Sequence, residues 1–128
     1  MSSKTYKYLT PCEVTVKRII PAIRAALSML MVKKYGMSIY DVSKALGITP
    51  AAVSNYISGK RGEGLALAFL EDEELRSELE KLASKFYNKE GSIDDIVGFI
   101  RKICKEAIEG KLKNEKIVSE YSKVIVKK

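Results

Sequence analysis

The stretch that most constrains this 128-residue chain is Ser38–Arg61, SIYDVSKALGITPAAVSNYISGKR, which the residues divide into two short helices joined by a tight turn. Ser38 is placed to N-cap a first helix whose apolar Ile39, Val42 and Leu46 share one face, with Asp41 in its first turn at the positive end of the dipole. Gly47 ends that helix, because a sharp stop needs a residue that takes positive φ without steric cost. Thr49 and Pro50 then start the next helix at once: threonine is a good N-cap, and proline at the first helical position gives up an N–H that has no partner there.

On this second helix Val53, Tyr56 and Ile57 form the expected inward stripe, leaving Ala51, Ala52, Ser54, Asn55 and Ser58 outward. No charged residue lies between Pro50 and Gly59, although 30% of the chain is charged. A helix face of small, hydrogen-bonding side chains suits entry into the DNA major groove: asparagine can bond bidentately to adenine, and methyl groups can pack on the thymine methyl. The expected base readers are therefore Thr49, Ala51, Ala52, Ser54 and Asn55, with Asn55 the chief one. Ser38, Ser58, Lys60 and Arg61 are the expected phosphate contacts.

The run VSKALGITPAAVSNYISGKR resembles the helix-turn-helix of Cro/Xre-type regulators, with the pattern L-A-x-x-L-G-[VI]-[ST]-x-x-x-[VI]-S-x-[WY]-x-x-G-[KR]-R. Val42 replaces the first leucine and Ser43 the small alanine, both mild departures. Pro11-Cys12-Glu13 and Pro21-Ala22-Ile23-Arg24 upstream are similar to blocks in a narrower archaeal group, some of whose members join this domain to a small-molecule-sensing domain. The resemblance spans roughly Pro11–Arg61 and is silent on the rest. It implies an all-α, Cro/λ-repressor-like helix-turn-helix domain with additional C-terminal helices, acting on double-stranded DNA.

Composition agrees with this. The chain carries a net charge of +7, with a pI near 9.4, the sign expected of a nucleic-acid binder. Seven basic residues face one acidic residue in 1–35 and three face one in 36–62, whereas 63–95 holds four against ten and 96–128 nine against four. The acidic block is expected to face away from DNA, with basic flanks towards it. No leader or membrane span is legible, so the expected location is the cytoplasm, on the nucleoid.

The expected organisation is an arm over 1–9, a helix-turn-helix domain over 10–70 and a helical extension over 71–128. Thr10 and Glu13 have capping-box spacing around Pro11, opening a helix that runs towards Tyr35, with Pro21 expected to kink or restart it. Gly62 and Gly64 should flank a loop before Leu65–Leu70, which periodicity leaves open between helix and strand. A helix follows from about Asp72 to Tyr87, with Glu71, Asp72, Glu73 and Glu74 at its start, a place where the dipole favours acids and catalysis is not expected.

Ser92 and Asp95 should cap a helix to about Glu109, with Ile93, Ile96, Val97, Ile100, Ile103, Cys104 and Ala107 as its apolar seam. The last segment, with Ile117, Val118, Tyr121, Val124 and Ile125, has helical spacing. These helices exceed what a Cro-like domain needs, and homodimerisation through 92–128 is their leading role, with added core as the alternative. Cys12 and Cys104 fit buried free thiols, a redox pair or a thermophile's disulfide; buried thiols are the expectation. There is no histidine, phosphate-cradling loop or nucleophile beside a base, so neither an enzyme nor a cofactor or metal site is expected. An effector is left open, and the alternative function is an interaction or assembly protein that keeps the fold but binds protein or RNA.

Overall fold

The computed structural model describes residues 10–59 and 63–125; the expected arm over 1–9 and Lys60 and Arg61 lie outside them. Among the described residues there are seven helices and no strand. The first, α1 (residues 11–34), is one rod made of an α-helical turn Pro11–Val14, a π-helical turn Thr15–Ile19, an α-helix Ile20–Met29 and a second π-helical turn Leu30–Lys34. It opens on the anticipated box, with the Glu13 N–H donating to Thr10 Oγ1 at 3.1 Å and the Thr10 N–H donating to Glu13 Oε1 at 2.9 Å. Those bonds hold the Glu13 carboxyl below its ordinary pKa, the backbone N–H of Thr10 contributing most.

At Pro21, expected to kink or restart the helix, the winding changes: a new α-helical stretch, Ile20–Met29, begins with the proline in its first turn. The turn before it is under-wound, the Ile20 N–H reaching back five residues to the Thr15 carbonyl. A wider turn moves the preceding carbonyls off the pyrrolidine ring, so the proline is accommodated at a π-helical turn.

Around α1 lie α2 (Ile39–Leu46), α3 (Pro50–Ile57), α4 (Glu63–Glu71), α5 (Glu73–Tyr87), α6 (Ile93–Glu109) and α7 (Glu115–Ile125). The ambiguous Leu65–Leu70 run is therefore helical, and Gly64 lies in the first turn of α4 instead of closing a loop. Ile19, Ile23, Leu27 and Met31 of α1 are fully buried, and the small Ala22, Ala25, Ala26 and Ser28 beside them let α3, α4 and α5 approach closely. The buried side chains of α2–α5 join those of α6 and α7, namely Ile96, Phe99, Ile103, Ile117 and Tyr121, in one hydrophobic cluster. Tyr121 and Thr15 share a buried hydroxyl–hydroxyl bond that ties α7 to α1, and burial pushes the Tyr121 phenol pKa up.

The seam of α6 divides in two. Ile96, Phe99 and Ile103 are buried, whereas Ile93 is 50% and Val97 37% exposed. Phe99, absent from the expected seam, takes the core position. Both cysteines are free, as expected, but neither is fully buried: Cys104 is half-buried and Cys12 exposed.

Asp72 caps α5 by accepting the Leu75 N–H at 3.0 Å, so one member of the acidic cluster has a structural task. At the α5–α6 turn, Gly91 packs so tightly that a Cβ there would lie 2.8 Å from ring carbons of the buried Phe86 and 3.0 Å from its backbone nitrogen. Gly91→Ala is expected to cost about 1–3 kcal/mol, the range for overpacking, read as a lowered urea midpoint. An unchanged midpoint would show that the ring moves aside freely.

Candidate nucleic-acid interface

The turn between α2 and α3 is fixed by short-range bonds. The Asp41 N–H donates to Ser38 Oγ at 3.0 Å, and the Ala52 N–H donates to Thr49 Oγ1 at 3.0 Å. Gly47 takes φ 68°, ψ 33°, and the next N–H, of Ile48, donates to the Ser43 carbonyl at 3.1 Å, closing the end of α2. Both cap hydroxyls accept through a lone pair and keep an O–H for an outside acceptor such as a phosphate oxygen.

Val53 and Tyr56 are buried beneath α3, where it packs on α1 and α2. Thr49, Pro50, Ala51, Ser54 and Ser58 are exposed, and Asn55 is half-exposed. Ala52 departs from the expected outward set: it is half-buried and packs on the core. The Asn55 amide makes no hydrogen bond among the described residues, so both its donor and its acceptor are open. Ser58 instead donates its O–H to the Asn55 carbonyl at 3.2 Å, which uses the hydrogen that a phosphate would need.

The basic and acidic blocks are less separate than a linear count suggests. Lys34 of α1 pairs with Glu80 at 3.0 Å, and Arg76 pairs with the same carboxylate at 2.9 Å. Arg76 first and Lys34 second hold the Glu80 carboxyl below its ordinary pKa. Lys34 is thus engaged by the acidic block. Sequence reading also missed Tyr40, 61% exposed on α2, with the Lys44 ammonium 5.2 Å from its ring centroid. The i, i+4 spacing of those two residues was the available signal.

The arrangement is a capped helix, tight turn and second capped helix with an uncharged outward face. Residues 29–62 match the Helix-turn-helix family model. This segment is similar to the Cro-type helix-turn-helix of DNA-binding regulators. It is set in a fold that is all-helical among the described residues and in which further C-terminal helices share the core. No curated protein matches the chain, and no solved structure does. No described helix is long and apolar enough to cross a membrane.

Proposed function

We propose that the protein is a sequence-specific transcriptional regulator that reads the major groove of double-stranded DNA with α3, as a homodimer in the cytoplasm. The observation that carries this reading is the outward face of α3. In a chain with net charge +7, the one helix presented by the helix-turn-helix carries no charge and offers an unpartnered Asn55 amide flanked by exposed Ala51 and Ser54.

Asn55 is assigned to a base edge, with Thr49, Ala51, Ala52 and Ser54 beside it. Ser38, Ser58, Lys60 and Arg61 are assigned to phosphates. The Ser38 cap hydroxyl is the best placed of the two serines, since Ser58 must first release the Asn55 carbonyl.

The test is the affinity of Asn55→Ala for the preferred DNA sequence and for scrambled DNA. Discrimination is expected to fall by about 1–3 kcal/mol, the worth of one bidentate base contact, with binding to scrambled DNA nearly intact. Equal losses on both would remove Asn55 from the base-reading set.

A further inference from the structure

The core leaves one apolar face of α6 largely uncovered. Ile93 and Ile108 are 50% and 62% exposed, Val97 is 37% exposed, and Cys104 and Ile100 are half-buried between them, Ile100 with its inner side against the core. At 3.6 residues per turn these five form one stripe along the helix, set apart from the buried Ile96, Phe99 and Ile103. The charges on α6 divide in the same way. On the core side, Asp95 pairs with Lys85 at 3.0 Å and Lys102 pairs with Glu78. Beside the stripe, exposed Asp94, Gly98, Arg101 and Lys105 form a second row, and its three charges make no ion pair among the described residues.

We propose that this stripe is the homodimer interface, two copies of α6 packing antiparallel about a two-fold axis between Ile100 and Arg101. The proposal rests on the dimeric reading above and names its surface. The spacing is self-complementary: under that axis Ile93 faces Ile108 of the partner subunit, and Val97 faces the partner's Cys104. Asp94, at the N-terminal end, comes within two residues, roughly 3 Å along the axis, of the partner's Lys105, and the same pair recurs at the other end. The acid–base pairs thus lie at the two ends of the isologous contact, while Arg101 meets the partner's Arg101 beside the axis and must point its guanidinium out to solvent.

One helix face gives an interface at the small end of the range, so the free dimer dissociates in the micromolar regime, and two half-sites on one DNA raise its effective affinity. The test is sedimentation of the full chain across a concentration series. The wild type is expected to show a monomer–dimer equilibrium. Val97→Glu should raise the dissociation constant by about tenfold or more while helicity and melting temperature hold, as suits an exposed position. Asp94→Lys and Lys105→Asp should each weaken self-association through like-charge contacts, and an equimolar mixture of the two should restore a dimer. A monomer at every concentration, a dimer indifferent to Val97→Glu, or a mixture no better than either variant alone would each overturn the proposal. Failure of the DNA reading is scored separately: a dimer that prefers no DNA sequence leaves this interface standing, and a monomer that selects a single half-site removes it.

Discussion

Phe69→Ala is expected to cost about 3–5 kcal/mol of stability, the range for truncating a fully buried aromatic ring. Phe69 is completely inaccessible, and its ring centroid lies 6.2 Å from that of Phe99 at an interplanar angle of 57°. Such tilted pairs add about 0.5–1.5 kcal/mol beyond the area they bury. The helix that carries Phe69 packs on α1, α5 and α7, so the ring joins the layer holding the helix-turn-helix to the C-terminal helices. Domains of this size have only about 5–15 kcal/mol in total. The variant should therefore unfold at a much lower urea concentration, with tyrosine fluorescence and helical circular dichroism changing together. A loss below about 1 kcal/mol, or two separate transitions, would mean that the two halves keep independent cores.

The second large effect concerns DNA and leaves the fold alone. Ala51 is exposed in the first turn of α3, where a carboxylate is favoured by the helix dipole, so Ala51→Glu should hold or slightly raise the melting temperature. If α3 enters the groove, that carboxylate is buried among phosphates and base-edge acceptors. Like-charge juxtaposition in an interface costs several kcal/mol, so binding to every DNA sequence should fall by roughly 100-fold or more. Ser77→Glu on the exposed side of α5 is the control and should stay within about twofold, since one distant charge is largely screened at physiological salt. Comparable losses from both would make the effect one of net charge alone and remove α3 from the groove.

What the sequence made legible was what short-range chemistry fixes. The caps at Thr10, Ser38, Thr49 and Ser92 depend on bonds three residues apart, and the stop at Gly47 on a local φ of 68°. The outward face of α3 was legible for the same reason, except at Ala52, whose half-burial depends on how the neighbouring helices sit. At Pro21 the residue predicts an interruption but not its form, a π-helical turn that relieves the clash. Phe99 and Ile93 exchanged expected places because α6 is apolar over more than one face, and periodicity alone does not choose which face meets α1. Lys34 was counted among the basic flanks. Its partner Glu80 lies 46 residues away in sequence, and only the packing of α5 on α1 brings the two together.

The exposed Cys12 follows from the same limit. A thiol's preference for burial is an average, and the end of α1 on which Cys12 stands turns that side chain outward.

Selection of bound duplexes from a random DNA pool by the full wild-type chain tests the central claim most directly, that the uncharged face of α3 reads base sequence. The expected result is enrichment of one motif, arranged as two half-sites about one DNA turn apart, with affinity that falls steeply as salt rises. A pool that stays random after selection, or tighter binding to RNA than to any enriched duplex, would contradict it.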